Sequence, residues 1–207
     1  NASPLHPDVS RAINAVAERC EALGHEIVET ALPISEQLRD DFILYWAHMS
    51  SAAVGFWEQR TGLKRNRLAF EGLTLGLAAH YEANQSKYPG AVERLNAVGG
   101  AYAAMFPAID ATLSPVLSSP PPEIGWIGPD VDFETHMARL TEYAAFTSLW
   151  NIVGAPAISL PLSMSAENLP IGAMFGAPMG GERVLLDLAF ELEEAMPWKD
   201  RRPPIFG

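Results

Sequence analysis

At 207 residues, 48% apolar and 19% charged, the chain has the composition of a globular protein with one sizeable core, not of a disordered or fibrous one. A formal net charge of −11 argues against nucleic-acid binding, which needs a positive patch for phosphate, and fits an acidic, soluble surface. No apolar run reaches the roughly 18 residues that read as a membrane span, no charged-then-apolar leader opens the chain, and a lone Cys20 excludes an internal disulfide. A soluble cytoplasmic protein without a membrane partner is expected, with Asn1-Ala2 read as a cloning scar and 3–207 as a single domain.

The first predicted element is an amphipathic helix from His6-Pro7 to Leu23, with Val9, Ile13, Val16, Cys20 and Leu23 on one face and Gly24 as its stop. A short β-prone segment, Ile27-Val28, follows and ends at Pro33. Ser35 can cap a second helix to about Arg60, with Gly62 beyond it. That helix is apolar on more than one side, so it is expected to be widely buried or to line a pocket. Leu68 to Tyr81 reads as a helix interrupted by Gly72 and Gly76. Tyr88-Pro89-Gly90 reads as a turn before a helix from about Ala91 to Phe106.

Ala111 to Leu117 has the pattern of a strand, with Pro115 at its edge or end. The proline- and glycine-rich stretch Ser118 to Asp132 reads as a loop, and Glu134 to Trp150 as a helix. Ala157 to Leu162 and Ile171 to Ala177 are strand candidates. Val184 to Met196 is a closing helix with Leu185, Leu188, Ala189 and Leu192 in one stripe, followed by a proline-containing tail from Arg201 to Gly207. The expected fold class is α/β, with a mixed β-sheet of about four or five strands flanked by helices.

Chemistry-bearing motifs are scarce. No GxGxxG or GxxxxGK[ST] pattern supports nucleotide binding, and no GxSxG elbow supports a serine triad. The five histidines lack metal-ligand spacing and read as surface or satisfied side chains, so neither metal nor cofactor is expected. Asp40-Asp41 and Glu193-Glu194 read as solvated helix faces. The stretch Phe146 to Pro161 is the most informative. A helix ends near Asn151, whose amide can bond neighbouring backbone, Gly154 permits a positive φ, and Ala155-Pro156 is pushed toward an extended strand entry. Trp150 and Asn151 are the residues there expected to face a pocket.

Several segments resemble, in order, the C-terminal part of the amidase signature family, the serine hydrolases that cut carboxamides. They are Pro7-Asp8-Val9 with Leu23 to Val28, Asp110 to Pro115 and its proline-rich loop, the Asn151/Gly154/Pro156 block, Leu169-Pro170-Ile171-Gly172, and Leu185 to Glu193 with Pro197-Trp198. Residues 35 to 105 diverge most, and Asn168 stands where the family usually has glycine. The resemblance implies the C-terminal part of the amidase signature fold. It also implies a parent enzyme, a hydrolase of linear or cyclic amides, working through an acyl-serine intermediate without metal or cofactor.

The family's serine, second serine on a cis peptide and neutral lysine sit in an upstream region, with a Gly/Ser-rich loop for the oxyanion; nothing in this chain resembles them. Lys64, Lys87 and Lys199, the only lysines, lack the apolar surroundings of a buried base, and the pairs Ser50-Ser51 and Ser118-Ser119 lack flanking glycines. No catalytic residue is therefore assigned, and the chain alone is expected to be inactive. Phe42, Trp46, Trp126 and Trp150 are the aromatic candidates for a substrate pocket, with Asn151 beside them. The implied partners are a small-molecule amide and the N-terminal catalytic part of the same protein, and a self-associating homo-oligomer is expected of the isolated segment. The rival expectation is a non-catalytic binding or assembly module, such as part of an amidotransferase-like complex.

Overall fold

The computed structural model describes residues 5–202, so Asn1-Ala2 and the end of the tail lie outside the described residues. Helix α1 (Pro7–Ala22) starts where Pro7 costs no hydrogen bond and where the His6 ring accepts the Asp8 N–H at 3.2 Å. Helix α2 (Glu36–Thr61) is capped by Ser35, whose hydroxyl accepts from the Leu38 N–H, and it is stopped by Gly62 at φ 69°. After α3 (Gly72–Asn84), a 3₁₀ turn (Gln85–Lys87) leads into α4 (Tyr88–Ala103). Strand β1 (Thr112–Pro115), helices α5 (Phe133–Tyr143) and α6 (Ser148–Val153), strands β2 (Ala157–Met164) and β3 (Pro170–Gly176), and helix α7 (Glu182–Ala195) complete the chain.

The α/β class is observed. The sheet differs from the expected mixed one of four or five strands: its three described strands run in the order β1-β3-β2, and both pairings are antiparallel. Ile27 and Val28 have β-branched side chains but no neighbouring strand, and they lie 40% and 51% exposed outside regular structure. Propensity without a partner makes no ladder.

Central strand β3 sends alternate side chains to two cores. Ala173 and Phe175 meet Val16 and Cys20 of α1, Leu160 and Leu162 of β2, and Leu185 and Leu192 of α7. Met174 points the other way, into Tyr102 of α4 and Leu149 and Trp150 of α6. Helices α2 and α3 pack on each other, and α2 also packs on α4. The predicted stripe on α1 and the buried thiol of Cys20 are thus core, and burial pushes that thiol's pKa up.

Three boundaries differ from the sequence expectation for local reasons. Tyr88-Pro89-Gly90 is the first turn of α4 and not a turn before it, because a proline there gives up no helical N–H. The helix expected from Leu68 begins only at Gly72. The Asn66 carboxamide oxygen accepts the N–H groups of Leu68 and Ala69 in a local turn, and Leu68 is 99% exposed. The helix expected over 134–150 is two helices. The Tyr143 carbonyl accepts the Ser118 N–H at 2.9 Å from the preceding loop, and Ala144 leaves helical geometry at φ −94°, ψ 36°.

Candidate functional site

The turn at α6 is built as its sequence dictates. Gly154 ends the helix at φ 67° with its N–H on the Trp150 carbonyl, and β2 starts three residues later. Asn151 is exposed on this turn, and its amide donates to the Thr147 carbonyl at 3.0 Å. Trp150 beside it faces inward and is 5% exposed. Its indole sits against Gly176, where any Cβ would collide with it. The indole N–H has no well-placed acceptor, although the Tyr102 hydroxyl is its polar neighbour. That hydroxyl donates to the Ala177 carbonyl at 3.1 Å, and burial raises its pKa. Trp150 therefore fixes the α6 turn from beneath, and Asn151 presents the turn's polar surface.

Trp126 lies in the proline-rich loop, clamped from two sides. Arg139 of α5 donates to its carbonyl at 2.6 Å and places its guanidinium 5.4 Å from the ring centre, while Tyr143 meets the ring edge-on at 6.3 Å. Arg139 was not singled out by the sequence, which offers no signal linking a helix arginine to a loop thirteen positions earlier. The end of the loop is held from two places: Arg67, before α3, donates to the Pro129 carbonyl at 2.9 Å, and Phe133, the first residue of α5, fills the space beside Gly76 of α3.

Phe42 and Trp46 are half-buried on α2 and do not belong to the Trp150 core cluster. The same helix carries an aromatic group that the sequence reading missed. The His48 ring lies 4.3 Å from the Tyr88 ring and 4.8 Å from Tyr81, and Tyr45 stacks on Tyr88 at 6.3 Å. Spacing on α2 could have placed Tyr45 and His48 together, but only the tertiary fold brings Tyr81 and Tyr88 to them. The five candidate residues therefore fall on three separate elements: α2, the loop before α5, and α6.

Two surface depressions among the described residues lie elsewhere. One is lined by Phe56, Gln59 and Arg60, the other by Phe190, Glu193, Glu194, Pro197, Trp198 and Lys199. Lys64, Lys87 and Lys199 are all exposed, so none has the apolar burial that would keep an amine neutral. His6 caps α1, and the His25 ring lies 3.0 Å from Glu191 of α7. Among the described residues no group of three or more His, Cys, Asp or Glu side chains gathers to hold a metal ion. Among the same residues no helix is long and apolar enough to cross a membrane.

The Amidase family model matches residues 1–186. The "Putative amidase AmiC" of Mycobacterium leprae is 39% identical over 193 residues, which are 93% of this chain and 41% of that protein. The 6-aminohexanoate-cyclic-dimer hydrolase of Paenarthrobacter ureafaciens is 29% identical over 98% of this chain and 43% of its own length. A solved structure of 6-aminohexanoate cyclic dimer hydrolase superimposes with a TM-score of 0.84 at 26% identity, covering 97% of this chain and 44% of the other. The chain thus spans about two fifths of the length of the curated relatives it matches.

Proposed function

The chain belongs to the amidase family, and on that premise we propose that it is the C-terminal segment of a carboxamide hydrolase whose nucleophile, oxyanion donors and base lie in the upstream part of the polypeptide. The observation that carries this reading is the pairing of near-complete coverage of this chain, 93%, with only 41% coverage of the relative. The exposed lysines support it, because an amide hydrolase of this kind needs an unprotonated base, and these amines are solvated.

In the intact enzyme a serine attacks the amide carbonyl, the C–N bond breaks with proton transfer to the leaving amine, and water then releases the acyl-serine. This segment supplies the three-stranded sheet and part of the pocket wall. Phe42 and Trp46 contribute apolar surface from α2, Trp126 contributes a ring held by Arg139, and Asn151 contributes a carboxamide on a turn braced by Trp150. The substrates are linear or cyclic carboxamides; the cyclic class is supported by the Paenarthrobacter relative, whose name gives it a cyclic dimer to hydrolyse. The site of action is the cytoplasm, and the chain alone is inactive.

The test is intact-mass analysis of the purified chain after treatment with a fluorophosphonate serine probe, run beside a panel of linear and cyclic amides. Neither adduct nor turnover is expected. A stoichiometric adduct accompanied by turnover would place a nucleophile within these residues and overturn the assignment.

A further inference from the structure

Between Asp41 and Glu58, α2 carries no charged residue over more than four turns. At about 100° per residue, Phe42, Tyr45, Trp46, Met49, Ala52, Ala53 and Phe56 fall within an arc of about 120°. That arc is the side of α2 turned away from Leu44, Ala47 and Val54, which are buried. Tyr45, Met49 and Phe56 are 40%, 55% and 67% exposed, and Ala52 and Ala53 are exposed beside them. A helix face of about 20 Å, uncharged and aromatic, is not what a surface bathed in water carries in a chain with a net charge of −11.

Two other surfaces with exposed apolar groups are already managed. Strand β2 is an edge strand, but Pro161 offers no N–H, the register breaks between Leu160 and Ser163, and Arg201 donates to the carbonyls of Pro161 and Leu162 at 2.9 and 3.4 Å. Such a proline, bulge and arginine are the devices that close an edge to further pairing. On α7, Leu186 and Phe190 are exposed among exposed Arg183, Asp187, Glu193 and Glu194, so that surface is mixed.

We infer that the Phe42–Phe56 face of α2 is the docking surface for the upstream portion of the same polypeptide. This rests on the reading that the chain is part of a longer amidase. The relative's length supplies the occupant: the match uses nearly all of this chain but leaves more than half of the relative outside it. The occupant presents an apolar, uncharged surface of its own. Phe42, at the N-terminal end of the face, and Trp46, at its angular border, then stand at the seam where the two portions meet, which is where a pocket shared between them would form.

Methionine oxidation tests the inference, because its rate follows exposure of the thioether. The 207-residue chain, at a dilution where light scattering shows it monomeric, and the full-length polypeptide that contains it are treated with hydrogen peroxide, and sulfoxide is quantified at each methionine by peptide mass spectrometry. Met174, 5% exposed in the core, reports that the fold is intact in both samples. Met49 is expected to oxidise about tenfold more slowly in the full-length protein than in the chain. Equal Met49 rates in the two samples would overturn the inference. So would protection that disappears when the full-length protein is diluted, since a second copy would then be the occupant. Amide hydrolysis by the full-length protein with Met49 still reactive sinks this inference alone; absence of hydrolysis sinks the functional reading beneath it.

Discussion

A methyl group at Gly176 would land in the indole of Trp150 and against the Thr112 hydroxyl, so this strand residue is glycine for lack of space, not for any backbone angle. Gly176→Ala is expected to cost about 1–3 kcal/mol of stability through overpacking, read as a lower urea midpoint with an unchanged slope. Asp8 shows a different kind of constraint. Its carboxylate accepts the Ala166 N–H at 2.8 Å, tying the start of α1 to the β2–β3 turn, and pairs with Arg11. The Ala166 hydrogen bond is the main cause that holds its pKa below the ordinary carboxylate value, with the Arg11 charge adding to it. A lowered folded-state pKa contributes stability that is complete above the unfolded carboxylate pKa and is lost as pH falls through the folded one. Asp8→Asn is therefore expected to destabilise the chain at neutral pH and to flatten the acid limb of its stability profile, measured by urea unfolding from pH 7 down to pH 3.

Helices α2 and α4 are joined at the element scale by one fork. Arg94 donates through Nε and Nη2 to the two oxygens of Asp41, each at 2.7 Å, and Gln37 donates to the same carboxylate at 3.0 Å. Asp41 is 3% exposed, so the sequence expectation of a solvated Asp40-Asp41 face holds for Asp40 and fails for its neighbour. Helical rotation turns adjacent residues about 100° apart, and one of the two met the neighbouring helix. The Arg94 hydrogen bond is the main cause of the lowered Asp41 pKa. Asp41→Ala is expected to cost about 1–3 kcal/mol, since Arg94 is half exposed and can return to water. An Asp41→Ala/Arg94→Ala double-mutant cycle in urea unfolding measures the pair directly, and additive effects would show that the fork carries nothing.

For the whole molecule, the uncharged α2 face makes the isolated chain liable to associate with itself when nothing else covers it. Light scattering on the chain at high concentration is expected to show mass above that of a monomer. Phe56→Glu or Met49→Glu is expected to return it to a monomer, because either puts a charge on the face. A strictly monomeric profile for the unaltered chain would count against the exposed face as a sticky surface.

Signals carried by neighbours along the chain were legible before the fold was known. Ser35 and Gly62 bound α2, Gly154 turns α6 into β2, and the 3.6-residue stripe of α1 marks its core face, because caps, turns and periodicity are set within a few residues. The ordered resemblance that identified the family was equally linear. What sequence could not decide depended on partners distant in the chain. Ile27-Val28 had strand propensity but found no strand, and the expected 134–150 helix was broken by a bond from Ser118. Trp150 went into the core because Gly176 left room for it, Trp126 was fixed by Arg139, and the apolar residues of α2 were divided between a buried and an open side. Local geometry is written in short-range backbone preference, whereas burial is a property of whatever else arrives to exclude water, and only tertiary structure settles that.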